Sequence, residues 1–99
     1  MKKKFKVRSK VWLYPGMAGW HFVGVPKGQS EQIKKTYSGF TKGWSSLPVI
    51  VTLGKSKWRT SIFPDKRSGT FLLPLKAKVR EAENIYEDNT ISFTIEIQT

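Results

Sequence analysis

The sequence predicts a mainly β fold, a small antiparallel or mixed barrel of six strands carrying two short helices. Three features point there. Apolar and polar residues alternate with the two-residue period of a half-buried strand near both ends, at Phe5, Val7, Val11 and Leu13 and again at Ile91, Phe93, Ile95 and Ile97. The stretch from Lys57 to Arg80 spells a strand, a tight turn, a second strand and a helix start in succession. The connections carry Gly or Pro, and a small sheet with this many strands hides its edges best by closing on itself.

The first strand sets Phe5, Val7, Val11 and Leu13 inward and Lys4, Lys6, Arg8 and Lys10 outward. Its outward parity continues to Trp12 and Tyr14, so the exposed side changes from cationic to aromatic as the chain nears Pro15 and Gly16. A loop through Gly19 leads to a second strand from Trp20 to Val25, forming a hairpin that Pro26 stops. Ser30 is expected to cap a helix whose buried side carries Ile33, Tyr37 and Phe40 and which Gly39 ends. Thr41 to Ser46 reads as a loop around Trp44.

The β-branched run Leu47 to Leu53 is expected to be a central strand buried on both sides. Gly54 and Lys55 turn the chain into a strand in which Trp58, Thr60 and Ile62 oppose Lys57, Arg59, Ser61 and Phe63. Pro64 to Gly69 supplies the next turn, and Thr70 to Leu73 the returning strand. Pro74 is placed as the first residue of a helix that carries Ala77, Val79 and Ala82 and ends near Asn84. Glu87, Asp88 and Asn89 then turn into the last strand.

A chain of 99 residues closes one core, so residues 1–99 form one domain, with 1–3 expected to be disordered. Cysteine is absent, which removes disulfides, thiolate metal sites and a cysteine nucleophile from consideration. Lys6, Arg8 and Lys10 interrupt any apolar signal sequence, and no segment is long enough in apolar residues to span a bilayer. A cytoplasmic protein without a membrane partner is expected.

The net charge of +11 is unevenly distributed. Residues 1–80 hold all 18 lysines and arginines against Glu31 and Asp65, a local balance of +16; residues 81–99 carry five acids and no base, a balance of −5. Such a surface attracts polyanions. Lys4, Lys6, Arg8, Lys10, Lys57 and Arg59 are the candidate contacts, and nucleic acid or another polyanion is the expected partner. The bland reading of the same lysines is an edge strand guarded against aggregation.

Other chemistry finds little support. His21 is the only histidine and shares its parity with Val23 and Val25, with no metal-ligand or acid–base partner at a recognisable spacing. Gly54-Lys55-Ser56 resembles the end of a phosphate-binding loop, but Val49 stands where the upstream glycine belongs. Glu81, Glu83, Glu87 and Asp88 match no calcium loop. Ser61 has no base near it in sequence. No cofactor is expected, and an enzyme would require His21, Arg59 and Asp65 to be drawn together by the fold.

The run Trp58 to Lys66, then Leu72 to Lys76 and Val79-Arg80, closing with an acidic turn and an alternating strand, resembles the uncharacterised bacterial family called domain of unknown function 1905. The likeness extends to the opening strand and to Gly19-Trp20 through Pro26. It implies a compact β-barrel-like domain with no assigned activity to carry across. One departure stands out: the family's Gly-Asp pair before the last strand is Glu87-Asp88 here, which raises the question of which residue carries any positive φ at that corner.

The tryptophans at 12, 20, 44 and 58 have two readings. Core packing accounts for bulky inward residues. Trp12 and Tyr14, by contrast, extend the cationic parity and would form a stacking platform for single strands. The alternative function is a small-ligand or protein-interaction module with an aromatic pocket of Trp20, Trp44 and Trp58 and Arg59 as anion anchor. Arg59 and Arg80 have a further reading as internal ion-pair residues for the acidic C-terminal segment.

Overall fold

In the computed structural model, which describes residues 3–16, 19–37 and 46–98, six strands close into an antiparallel barrel in the order β1-β2-β5-β4-β3-β6. The strands are β1 (Lys4–Leu13), β2 (His21–Gly24), β3 (Leu47–Leu53), β4 (Ser56–Asp65), β5 (Thr70–Leu75) and β6 (Thr90–Ile97), with helices α1 (Lys27–Tyr37) and α2 (Ala77–Glu83). Met1, Lys2, the helix stop at Gly39, Phe40 and the loop around Trp44 lie outside the described residues. Lys3, expected to be disordered, is held by its carbonyl, which accepts the Ile97 N–H at 3.1 Å.

Two strands turn the corners of the barrel. β1 pairs through Lys4–Lys10 with β6 and through Val11–Leu13 with β2. β4 pairs through Ser56–Ile62 with β3 and through Phe63–Asp65 with β5. The barrel is thereby flattened into a four-stranded face, β1-β6-β3-β4, and a second face made of the other half of β1, β2, β5 and the end of β4. Inside, Val7, Val11, Val23, Val49, Val51, Ile62, Phe71, Leu73, Ile95 and Ile97 are all 2% exposed or less, each from a position whose parity points inward. Ile33 and Tyr37 of α1 join this core, and Val79 and Ile85 join it from α2 and the residue following its cap.

Four sequence expectations are corrected. Ser30 is not the helix cap: α1 begins four residues earlier than that reading, the Pro26 carbonyl accepting the Ser30 N–H at 2.8 Å. The hydroxyl instead lies buried within the helix, donating to the Val25 carbonyl at 2.9 Å and accepting the Phe71 N–H at 3.0 Å. It ties α1 to Val25, just past β2, and to β5, and that long-range demand outweighs its local preference for a cap. Pro74 does not start a helix; it lies within β5, facing outward opposite Phe22. A proline fits because the β4 ladder ends at Leu72, leaving that edge of β5 without a partner to receive a donor.

The third correction concerns β3, which has the expected bounds but only one buried face: Leu47, Val49, Val51 and Leu53 point in, while Pro48 and Thr52 are exposed. The barrel has one interior, and among the described residues no layer covers β3 from outside. Last, the strand following Gly54 runs on through Asp65, so the turn is confined to residues 66–69. At the acidic corner Asp88 takes the left-handed conformation (φ 71°), and Glu87 is not among the positive-φ residues. Glu87 therefore sits at this corner without left-handed backbone strain.

Candidate polyanion interface

β1 places Lys4, Lys6, Arg8 and Lys10 in one exposed line, because alternate residues of a strand leave on the same side. Consecutive cations along it are roughly 7 Å apart, close to the repeat of an extended phosphodiester backbone. None of the four makes an ion pair with a described carboxylate. The strand does this at little cost to the fold, since Phe5, Val7 and Val11 on the other parity supply the burial.

Lys57 and Arg59 are exposed on β4, at the far edge of the same four-stranded face. The registers give the cross-strand rows directly: Lys6, Thr94, Thr52 and Lys57 form one, and Lys4, Glu96, Ile50 and Arg59 the next. The six cations are therefore not one contiguous patch. They form two rails, separated by three inter-strand spacings or roughly 14 Å. Between the rails the Lys6 row carries hydroxyls and the Lys4 row carries Glu96 and Ile50, and a groove of about 430 Å³ runs beside the first between Lys6, Arg8, Thr52, Ser92 and Thr94. Serine and threonine hydroxyls are ordinary donors to phosphate oxygens. Glu96 is the one acid on this face of β6; the other C-terminal acids lie on α2 or in the 87–88 turn, so pairing β6 beside β1 cancels little of the charge.

The second half of β1 carries different chemistry. Trp12 stacks on Tyr14 with ring centroids 5.7 Å apart and lies 5.6 Å from Phe22 of β2, while Trp20 stacks on Phe22 at 5.9 Å. All four rings sit outside the barrel, Phe22 being covered to 8% exposure by the others while Trp20 remains 50% exposed. The turn after β4 reaches this cluster: the Arg67 guanidinium lies 5.3 Å from the Tyr14 ring centroid, with Asp65 3.9 Å from its Nε. Lys10, Trp12, Arg67 and Leu72 line a groove of about 500 Å³ beside it.

The remaining candidates separate. Trp58 points into the barrel and packs on the core, its indole Nε1 buried without a partner among the described residues. Trp20 lies outside, and Trp44 is beyond the described residues, so the described members of the expected three-tryptophan pocket do not meet. Arg59, next to Trp58, faces the opposite way into a groove of about 480 Å³ with Pro48, Ser61, Phe63 and Gln98. Arg80 makes no ion pair with an acid among the described residues: its Nε donates to the Leu75 carbonyl at 3.2 Å and its Nη2 lies 3.5 Å from the Gly19 carbonyl. His21 donates from Nδ1 to the Gly19 carbonyl at 2.9 Å. His21 pairs with Leu75 and Asp65 with Thr70, five residues apart along β5 and thus ~16 Å, so no proton passes between them directly. Among the described residues no cluster of three or more metal-ligating side chains occurs.

Sequence reasoning missed Arg67, Phe22 and the hydroxyl strip. The parity of Phe22 was legible from Trp20–Val25, and a search for outward aromatics on the strand paired with Trp12 would have found it. The approach of Arg67 to Tyr14 is a tertiary contact between residues 53 positions apart in the chain, for which no local signal exists. No helix among the described residues is long and apolar enough to cross a membrane.

No curated protein shows a significant match to the chain. The model of the family described as Domain of unknown function (DUF1905) matches residues 8–95, which takes in all of the barrel from the middle of β1 to most of β6. With nearly its whole length accounted for by that match, the chain belongs to the DUF1905 family.

Proposed function

We propose that this protein is a non-enzymatic binding module whose four-stranded outer face contacts nucleic acid or another polyanion. The observation that carries the reading is the line of four exposed cations on β1, without an ion pair among the described residues, facing Lys57 across Thr94 and Thr52 and Arg59 across Glu96 and Ile50. A phosphate backbone laid along β1 meets one cation per strand repeat, and displacement of its counterions supplies the binding free energy. Thr52, Ser92 and Thr94 add neutral donors beneath it.

Fluorescence polarisation with a labelled oligonucleotide tests this. Binding is expected at low ionic strength and weakens linearly in log Kd against log salt. Failure to bind at low salt removes the proposal.

A second reading has one specific observation in its favour: Arg59 shares its groove with exposed Phe63 and with Pro48, the pairing of a fork donor and an apolar wall that suits a small aromatic or aliphatic carboxylate. A thermal-shift screen of such acids supports it where a stabilisation disappears in Arg59→Ala.

A further inference from the structure

The cationic line on β1 does not end at a neutral surface; it runs into the ring cluster of Trp12, Tyr14, Phe22 and Trp20. Resting on the polyanion reading above, we infer that the partner is a single-stranded nucleic acid, whose backbone follows Lys4 to Lys10 while unpaired bases stack on Trp12, Tyr14 and Trp20. Duplex and simple polyanions engage the cations alone.

Four observations combine. The rings lie outside the barrel, where burial in the core does not explain them, and Trp20 keeps half of its surface in solvent over a Phe22 that supports it from beneath. Trp12 and the following Tyr14 continue the outward parity of the cations on β1, and Phe22 of β2 pairs directly with Trp12, so a ligand that follows β1 around the barrel's corner reaches both. Cations bracket the platform: Lys10 and Arg67 line the groove on one side, and Lys76 with Trp20 lines another of about 290 Å³ on the other. Arg67 already lies over the face of Tyr14, 5.3 Å from its ring centroid and 3.9 Å from Asp65, with 64% of its side chain exposed, so a base arriving at Tyr14 displaces a cation from the ring and leaves Arg67 near a backbone phosphate. A duplex hides its base faces and offers this platform nothing.

The chemistry is shared by single-stranded DNA and RNA, and the test separates them. The probes are labelled oligodeoxyuridylate, oligouridylate, a duplex of matched length and unlabelled inorganic polyphosphate as competitor, titrated against the full chain at fixed low salt. Tryptophan emission is followed in parallel. Trp20→Ala is the primary variant because its ring stands clear of the core, and Tyr14→Ala is the second; thermal unfolding of each confirms that the barrel persists. The inference expects both single strands to bind more tightly than the duplex, to quench tryptophan emission, and to lose about tenfold in affinity in each variant, while competition by polyphosphate is unchanged. The stronger of the two single strands names the sugar. Equal binding of single strand, duplex and polyphosphate, with Trp20→Ala and Tyr14→Ala at wild-type affinity, overturns the inference and leaves the polyanion reading standing. Absence of binding by every probe overturns both.

Discussion

The two halves of β1 share an interior and differ in what they show to water. From Lys4 to Lys10 the strand pairs with β6 and presents four cations; from Val11 to Leu13 it pairs with β2, and Trp12 and the following Tyr14 present rings. Inward, Phe5, Val7 and Val11 stay buried across this change, and the expected inward Leu13, at the strand's end, is 39% exposed. The comparison teaches that stability and surface chemistry are written on separate parities here. A residue on the inner parity is constrained by the volume of a closed barrel, whereas an outer residue is free to be chosen for a ligand.

The sharpest way to break that separation is to put one kind of residue on the wrong parity. Val7→Asp sets a carboxylate among apolar side chains and is expected to cost about 3 kcal/mol or more, a large share of the 5–15 kcal/mol typical of a domain. Lys6→Asp, one position earlier, is expected within about 0.5 kcal/mol of wild type. Urea unfolding of the two variants reads the difference, and equal midpoints would show that β1 has no inside.

Function is expected to follow the other parity. Replacing Lys4, Lys6, Arg8 and Lys10 together by Glu is expected to weaken oligonucleotide binding by at least about a hundredfold at low salt, with the far-ultraviolet spectrum unchanged. The comparison is sharpened by Ser30, which has no part in either surface. Ser30→Ala removes the buried hydroxyl that joins the Val25 carbonyl to the Phe71 N–H and is expected to cost about 1–3 kcal/mol in thermal or urea unfolding, with oligonucleotide affinity of the folded fraction unmoved. The smallest effect belongs to Glu96, the one acid between the rails. Glu96→Gln is expected to tighten oligonucleotide binding about two- to threefold, an increase that disappears at high salt.

Much of this division was legible before the fold was. Alternation assigns an inner and an outer side to β1, β4 and β6 from sequence alone, and the bounds of β3 follow from its β-branched run between turn residues. Where reading failed, a distant contact had overridden a local preference. Ser30 has the chemistry of a cap, but its hydroxyl is claimed by Phe71, far along the chain. Pro74 has the signature of a helix start, and only the ending of the β4 ladder at Leu72 makes room for it in a strand. The candidate interface divides in the same way. Its cations were found by parity, but the distance between the β1 and β4 rails depends on the order β1-β6-β3-β4, which no local pattern encodes. The position of Arg67 over Tyr14 depends on how the 66–69 turn folds back across the sheet.

The central claim is that the line of cations on β1 is a phosphate track, and the salt dependence of oligonucleotide affinity measures it most directly. Compared with wild type, the variant with Lys4, Lys6, Arg8 and Lys10 all changed to Gln is expected to show a slope of log K against log salt shallower by about 3, the loss of four phosphate contacts on a single strand. An unchanged slope, or no measurable affinity of the wild-type protein at low ionic strength, would contradict the account.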